Sequence, residues 1–284
     1  MTGDAQRRRE LGKFLRVRRQ QLVRAELGLP TIGRRNTGLR REEVSYLSGV
    51  SLTWYTWLEQ GREITPSRQV LDAIARTLCL SCSQHAYVLA LSGYSAPAPT
   101  PEPASPAVPE RTQRLLDAVV DLPAYLLAPT WAILAWTPAF AAIYPRVATV
   151  PEEDRNMLWL VFTDPYQREV QVDWELHCAR HLARFRADAG PRLGEPPFAR
   201  LVERLLGASE LFRARWEDHD VENFISSNHI FRHPDVGALY LEHHRMTLSE
   251  HPNLDLAVYT PVPDTDTSAR LRRLVGSGAA LGAC

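Results

Sequence analysis

Four side chains at helical spacing form the outward face of a short segment between Gly49 and Gly61. They are Leu52, Thr53, Thr56 and Trp57. Threonine and apolar groups are unusual on a solvated helix, but they suit contacts with thymine methyl groups and base edges in the major groove. Arg41 and Arg62 flank this segment, and a guanidinium is a common partner of a backbone phosphate. The residue types therefore indicate binding to double-stranded DNA.

Two predicted helices would position these side chains. The first covers residues 41–48 and ends at Gly49, because glycine readily adopts the left-handed conformation that follows a helix. The second covers residues 52–60, with Ser51 as its N-cap and Gly61 after its end. Their predicted inward side chains are Val44, Leu47, Val50, Tyr55 and Leu58. Two short helices joined by a glycine-containing turn have the geometry of a helix-turn-helix.

Three more helices complete an all-α, five-helix helix-turn-helix domain. The first has an apolar face opposite a basic face, which is predicted to carry Arg16, Arg18 and Arg19. A fourth helix begins after Ser67, and a fifth covers about residues 83–91 before Gly93.

Charge is distributed unevenly, although the formal net charge of the 284 residues is zero. Residues 1–95 contain 15 lysines and arginines against 8 aspartates and glutamates, and the remainder contains 18 against 25. A basic N-terminal part favours a nucleic-acid partner. Residues 95–110 contain six prolines, which is typical of a stiff linker. We therefore predict a helix-turn-helix domain over residues 1–94, a linker over 95–110 and a second domain over 111–284.

The second domain mixes helices and strands in an order that predicts an α+β fold. Two early strands are predicted at residues 125–127 and 132–136, and two late strands at 237–248 and 255–261. Predicted helices cover residues 115–120, 137–144, 169–187, 198–216 (with a break capped by Ser209) and 270–275. Residues 157–162 fit a helix or a strand equally well.

The uncharged segment 122–145 is long enough to cross a bilayer, but Pro129 and Pro138 would interrupt a helix within it. We predict buried strands and a short helix there, and no membrane contact. Four scattered cysteines do not form a disulfide framework, and no signal peptide is visible, so we expect a cytoplasmic location.

Two sets of motifs resemble known families. LRREEVSYLSGVSLTWYTWLEQGREITPSRQVLDAIARTL resembles the Xre/lambda-repressor-like helix-turn-helix family, and VSLTWYTWLEQGR within it resembles the MmyB-like regulators. The second domain is similar to the MmyB-like ligand-binding domain through WAILAWTPAFAAIYP, SELFRARWEDHDV and RHPDVGALYLEHHRMTL. The resemblance implies a transcription regulator whose recognition helix carries the four outward side chains, followed by a PAS-like domain. Thr137 stands where relatives often carry asparagine.

The same resemblance implies a small-molecule sensor with a long-chain fatty acid as ligand. Residues that could line an apolar pocket are Trp131, Trp136, Phe140, Tyr144, Leu158, Trp159, Phe162 and Trp174. The same residues also fit an ordinary hydrophobic core. Arg180 and Arg184 are alternative partners for a ligand carboxylate.

Histidines and cysteines supply the metal-binding alternative. His177 and His181 lie four residues apart on a predicted helix and could bind zinc with a third ligand, although such pairs more often face solvent. Cys79 and Cys82 form a CxxC without a second pair. We therefore expect no metal site and no cofactor other than a bound fatty acid.

Motifs of common enzymes are missing from the sequence: it has no GxSxG, Walker A, GxGxxG or HExxH pattern, and we expect no enzymatic activity. We expect a homodimer on DNA, because helix-turn-helix proteins commonly bind paired half-sites. Two alternatives remain open. One is a helix-turn-helix-fold protein-interaction module with a purely structural dimerisation domain, and the other is a metal or redox sensor.

Overall fold

The computed structural model describes residues 3–27, 38–94, 108–222, 224 and 226–281. The chain divides into two compact units. Unit 1 comprises Met1–Ala98, Ala183–Arg200 and Ala214–Asn223, and unit 2 comprises Pro99–Leu182, Leu201–Arg213 and Phe224–Cys284. Residues 95–107 of the predicted linker lie outside the described residues, and the predicted boundaries at residues 94 and 111 remain a prediction.

Five helices form the N-terminal part of unit 1, as the sequence predicts. They are α1 (Gly3–Gln21), α2 (Arg41–Ser48), α3 (Leu52–Glu59), α4 (Arg68–Thr77) and α5 (Cys82–Leu91). Gly49 ends α2 with φ +71°, and the Ser51 hydroxyl accepts a hydrogen bond from the Trp54 amide at 3.3 Å. Ser67 caps α4 in the same way, and Ser81 caps α5. Capping side chains thus set where the short helices begin.

The core of the five helices contains most of the predicted inward side chains. Val44 and Tyr55 are fully buried, and Val50 and Leu58 are buried with them. The prediction for Leu47 is wrong, since its side chain is 45% exposed. The eight-residue helix α2 packs against α3 and α4, and in this packing Val44 is buried whereas Leu47, one turn later, is not.

Two segments from the C-terminal half of the chain complete unit 1. Val221 is buried in the same core as Phe14 and Tyr87, and Ala187 packs against it. Gly190 lies directly against the ring of Tyr87, because a Cβ at this position would stand 2.2 Å from Tyr87 Cε2. Residues 183–200 and 214–223 are therefore part of the packing of the helix-turn-helix region.

A buried carboxylate on α1 binds these segments. Glu10 Oε1 lies 3.0 Å from His219 Nδ1 and accepts a hydrogen bond from the Tyr87 hydroxyl at 3.0 Å. Arg186 Nε lies 3.8 Å from the same oxygen. Burial alone would raise the pKa of Glu10, but the His219 hydrogen bond and the Arg186 charge outweigh it and lower that pKa.

Arg18, two turns further along α1, binds the backbone around His219. Its guanidinium donates to the His219 carbonyl at 2.8 Å, the Asp218 carbonyl at 3.1 Å and the Asp220 carboxylate at 2.8 Å. His219 has φ +49°, a left-handed conformation that costs free energy for a residue with a side chain. The contacts of Arg18 and Glu10 stabilise it there.

Unit 2 contains an antiparallel sheet. Its described strands are β1 (Ala124–Leu127), β2 (Ile133–Trp136), β3 (Ser227–His233), β4 (Gly237–Leu248) and β5 (His251–Pro261). Their order is β2-β1-β5-β4-β3, and β4 pairs with β5 from Leu241 opposite Pro261 to Leu248 opposite His251. The α+β prediction for the second domain is therefore confirmed.

The sequence analysis predicts β5 from residue 255, four residues after its observed start, and it does not predict strand β3. The inward positions of β3 are His229, Phe231 and His233, and these three residues are buried. Because two of the three inward residues are histidines, the alternation of apolar and polar residues that predicts a strand is hidden.

The helices of the C-terminal half agree in part with prediction. They are α6 (Glu110–Ala118), α7 (Pro138–Ile143), α8 (Met157–Thr163), α9 (Pro165–Val170), α10 (Trp174–Ala189), α11 (Pro196–Ala208), α12 (Glu210–Trp216) and α13 (Thr267–Leu281). Ser209 caps α12, as predicted, through a hydrogen bond from the Phe212 amide at 3.2 Å. The single helix predicted over 169–187 is wrong, because Asp173 has φ +55° and separates α9 from α10.

Two side-chain caps resolve ambiguous points of the sequence. The Asn156 carbonyl oxygen accepts hydrogen bonds from the amides of Leu158 and Trp159, so residues 157–163 form a helix rather than a strand. Thr137 is buried, accepts from the Phe140 amide at 3.2 Å and donates to the Leu122 carbonyl at 2.7 Å. Threonine here therefore caps α7, a role that asparagine also performs well.

The uncharged segment 122–145 forms β1, β2, α7 and the turn that follows, as predicted. In the described part of the chain, no helix combines the length and the apolar character that crossing a bilayer requires.

The close approach of α1 to α3 gives a first testable prediction. A Cβ on Gly12 would lie 2.5 Å from the Glu59 carbonyl oxygen and 2.8 Å from that of Leu58. Because backbone cannot move aside as a flexible side chain can, Gly12→Ala should lower the free energy of unfolding by about 1–3 kcal/mol in urea denaturation.

Gly207→Ala is the matched control, since this glycine lies in helix α11 with nothing within 4 Å of the added Cβ. It should leave stability unchanged or raise it by about 0.5–1 kcal/mol. Equal effects of the two substitutions would contradict the close approach.

Candidate nucleic-acid interface and ligand clefts

The four predicted outward side chains of helix α3 are exposed to different degrees. Leu52 is 40% exposed and Thr53 is exposed, whereas Thr56 and Trp57 are half-buried. The opposite face of α3 places Tyr55 and Leu58 in the core. The helix is thus fixed by one face, and the other remains accessible; which side chains contact DNA remains a prediction.

The end of α3 is anchored by a buried carboxylate. The side chain of Glu59 has no exposed surface, and Arg19 of α1 donates to both of its oxygens, at 2.5 and 3.1 Å. Arg41 of α2 donates from Nε to Glu59 Oε2 at 2.7 Å. Burial would raise the pKa of Glu59, but the hydrogen bonds from the two arginines outweigh it and lower that pKa.

The sequence assigned Arg19 to the exposed basic face of α1, and this prediction is wrong. Arg19 is 9% exposed, and its Nη1 also donates to the Leu39 carbonyl at 2.6 Å. A buried arginine is explained only by its partner, and Glu59 lies 40 positions away. No local pattern in the sequence pairs the two.

The two arginines predicted to contact phosphate are both accessible. Arg41 is 38% exposed although it binds Glu59, and Arg62 is exposed. Arg62 donates to Gln60 Oε1 at 2.9 Å, and its guanidinium lies 5.7 Å from the ring centre of Trp57. These contacts hold Arg62 next to the outward face of α3.

A second ion pair fixes the start of α2. Arg24 donates to both oxygens of Glu43, at 2.9 and 2.7 Å, and to the Gly38 carbonyl at 3.2 Å. Glu43 also accepts from the backbone amide of Arg40 at 2.7 Å. The Arg24 hydrogen bonds lower the pKa of Glu43 to about 2.

Most of the predicted ligand-lining residues form the packed core of unit 2. Trp131, Phe140, Tyr144, Leu158 and Phe162 are buried. Phe140 stacks on Tyr144 with ring centres 4.7 Å apart, and Phe162 packs edge-on against Phe212 at 5.1 Å. These contacts support a structural role for the buried members of the set.

The remaining three tryptophans are half-buried, and an arginine covers each ring. Trp136 lies under Arg155 at 5.6 Å, Trp159 under Arg204 at 4.3 Å and Trp174 under Arg168 at 5.2 Å. Trp174 also donates from its indole nitrogen to the Val161 carbonyl at 2.9 Å.

Two adjoining clefts open in unit 2 beside the start of α10. The larger, of about 630 Å³, is lined by Arg168, Trp174 and Leu176, among others. The smaller, of about 90 Å³, lies between α10 and β3 and is lined by Arg180, His177 and His229, among others. Of the predicted ligand residues, Trp174 and Arg180 therefore line these clefts.

The second candidate arginine, Arg184, has a different environment. It is 3% exposed and belongs to unit 1, whereas Arg180 is exposed in unit 2. The choice between the two stays a prediction, but only Arg180 lines a cleft described above.

The helical histidine pair is buried rather than solvent-facing, which corrects the expectation from the sequence. His177 is 7% exposed and His181 is 2% exposed, with ring centres 4.1 Å apart. His229 of β3 approaches His177 at 4.9 Å. Even so, no three histidine, cysteine, aspartate or glutamate side chains in the described ranges are arranged to hold a metal ion.

Helices α1–α5 and the α+β domain with its clefts define a two-part helix-turn-helix protein. A model of the helix-turn-helix domain matches residues 10–86. A model of the MmyB-like transcription regulator ligand binding domain matches residues 108–274. The latter spans more than half of the chain, so the chain belongs to the MmyB-like transcription regulators. Comparison with curated proteins finds no match.

The family assignment confirms the central predictions from the sequence. The chain is a DNA-binding transcription regulator with a helix-turn-helix domain and a ligand-binding domain. The nature of the ligand, the oligomeric state and the narrower Xre assignment remain predictions.

The buried Glu59 gives the second prediction. Glu59→Gln removes a charge that holds two arginines, and breaking a buried pair in this way leaves the partner charges uncompensated. We expect a loss of about 3 kcal/mol in the free energy of unfolding, measured in urea. Glu63→Gln, at an exposed site four residues later, is the control and should change stability by less than about 0.5 kcal/mol. Similar losses in both variants would exclude the anchoring role of Glu59.

Glu43 gives a prediction about pH. Its folded-state pKa of about 2 lies below the unfolded value of 4.5, so its contribution to stability is complete above pH 4.5 and is lost as the pH falls toward 2. The difference in the free energy of unfolding between wild type and Glu43→Gln should therefore decrease as the pH falls from 4.5 toward 2, as measured by denaturant unfolding. Glu42→Gln, at the exposed neighbouring position, should show no such narrowing. A constant difference for Glu43→Gln would contradict the pairing with Arg24.

Proposed function

We propose that α3 enters the major groove of DNA and that the second domain adjusts this binding in response to a small apolar acid. Leu52, Thr53, Thr56 and Trp57 would contact base edges. Arg41 and Arg62 would contact backbone phosphates. The observation that carries the proposal is the accessible face of α3 in a helix-turn-helix, joined in one chain to a domain of a ligand-binding family.

The charge and anchoring of α3 support the DNA part of the proposal. Residues 1–95 have a net positive formal charge, with 15 basic against 8 acidic side chains. The Glu59 contacts hold α3 by its C-terminal end and leave its N-terminal residues, Leu52 and Thr53, accessible. In helix-turn-helix proteins, the N-terminal residues of the second helix contact bases.

A long-chain fatty acid is the ligand that we propose. The larger cleft beside α10 has the volume of a typical small-molecule site, and Trp174 and Leu176 give it apolar surface. The ligand would change DNA affinity only to the extent that it binds two arrangements of the protein unequally.

We further propose that the protein acts as a homodimer in the cytoplasm and without enzymatic activity. A single helix-turn-helix makes few base contacts, and a two-fold dimer matches two half-sites one helical turn apart. Size measurement by light scattering, alone and with bound DNA, tests the dimer directly. A monomer under both conditions would contradict it.

The DNA proposal is tested with selected operator fragments. Thr53→Ala should change the preferred base at one position of the site, because it removes a contact to a base edge. Arg62→Gln should weaken binding to all sequences alike and reduce the slope of log affinity against log salt by about one. Arg272→Gln, at an exposed position of α13, is the control and should do neither.

Two outcomes would contradict this proposal. Absence of binding to any member of a random DNA library at low salt would favour a protein-interaction module. If Arg62→Gln changes the sequence preference and Thr53→Ala does not, the proposed base contact of Thr53 and phosphate contact of Arg62 are wrong.

The ligand proposal is tested on protein purified without added lipid. Extraction with organic solvent followed by mass spectrometry should recover a fatty acid in stoichiometric amount. Added fatty acids should also raise the unfolding temperature by mass action. If no small molecule is recovered and no fatty acid stabilises the protein, a purely structural second domain is favoured.

A further inference from the structure

The smaller cleft of unit 2 has a mixed lining, in which polar side chains outnumber the apolar Val172, Leu176 and Ile230. Its volume of about 90 Å³ holds a few heavy atoms, which is enough for a head group but not for a whole lipid. Gln171, His177, Arg180, Asn228 and His229 supply amide, imidazole and guanidinium groups around it, and the exposed Asp173 supplies a carboxylate. Gln171, Asp173 and Leu176 also line the larger cleft, so the two clefts adjoin along the start of α10.

Gln171 carries the most specific observation. The residue is 6% exposed, and its Oε1 has no hydrogen-bond partner among the described residues. Leaving such an acceptor unsatisfied costs free energy, so a buried amide oxygen without a partner requires an explanation. The backbone of Gln171 is fixed by its bridge to Phe231 of β3 and by its hydrogen bond to the Gln167 carbonyl. Gln171 is therefore held where the two clefts adjoin, with its Oε1 buried beside them.

Arg180 supplies the positive charge that an anion requires, in a cleft that Asp173 also lines. It is exposed, and it takes part in none of the ion pairs found within the described ranges. His177 and Arg180 lie three residues apart on α10, so their side chains lie on the same side of that helix. An arginine beside imidazole and amide groups is a typical partner for a carboxylate.

We propose that the smaller cleft binds the head group of the ligand, and that this head group is a carboxylate with a hydroxyl group close to it. Arg180, with His177 and Asn228 beside it, binds the carboxylate. The hydroxyl group donates a hydrogen bond to Gln171 Oε1, and the alkyl chain extends along Trp174 and Leu176 in the larger cleft. This inference rests on the proposed sensing of an apolar acid and specifies the substituent that the protein selects.

Three probes of equal chain length test the assignment on the full chain: 3-hydroxytetradecanoate, tetradecanoate and 1-tetradecanol. Calorimetric titration of the wild type should show the hydroxy acid binding about tenfold more tightly than tetradecanoate. Gln171→Met keeps the side-chain volume and removes the acceptor, so it should abolish this preference. Arg180→Gln should weaken both acids about tenfold and leave 1-tetradecanol unchanged.

Arg272→Gln is the matched control, since it removes an exposed helical arginine of the same unit outside the cleft. Unfolding of the ligand-free variants shows whether a change in binding reflects a change in folding. If the wild type binds the acids but Gln171→Met keeps the preference and Arg180→Gln behaves as Arg272→Gln does, the head-group site is overturned while acid sensing stands.

A wild type that binds none of the three probes would also overturn the head-group site. The proposed sensing function is decided separately, by the solvent extraction described above. Recovery of an acid without a hydroxyl group would support sensing and exclude the hydroxyl selection.

Discussion

The helix-turn-helix depends on one buried carboxylate. Glu59 ends α3, and it is bound by Arg19 from α1 and Arg41 from α2, so that three helices meet at a single side chain. Burial of the Glu59 carboxylate is tolerated only while the guanidinium groups stay in place, because a desolvated carboxylate without partners is strongly destabilising. Because Arg41 is partly exposed, the same arginine that anchors the helix would also lie at the DNA backbone. Stability and the proposed DNA binding would therefore share this residue.

Local rules predicted much of the fold because caps and glycines act within a few residues. Ser51, Ser67 and Ser209 cap helices where the sequence places them, and Gly49 has the expected positive φ. Strand β3 could not be predicted, because its inward histidines are themselves polar. The hydropathy of successive residues therefore shows no alternation between inward and outward positions. A pattern based on hydropathy detects a strand only when the buried side chains are apolar.

The candidate sites were predictable to a smaller extent, for reasons of distance and burial. The outward face of α3 follows from its 3.6-residue period, so Leu52 and Thr53 were identified from the sequence alone. Arg19 was assigned to the wrong face, since its partner lies on another helix. Composition alone could not divide the eight predicted ligand-lining residues between core and cleft. Gln171 has no local sequence feature that distinguishes it, so it could be noticed only once the clefts were known.

The carboxylate of Glu10 has a consequence for how genes of this architecture can recombine. Within unit 1, this α1 side chain is bound by Arg186 and His219, which are encoded far downstream of the proline-rich segment. A crossover in that segment would join this α1 to a foreign second half, and Glu10 would be buried without its cationic and imidazole partners. Exchange at the apparent boundary should therefore be better tolerated between chains that carry matching residues at positions 10, 186 and 219.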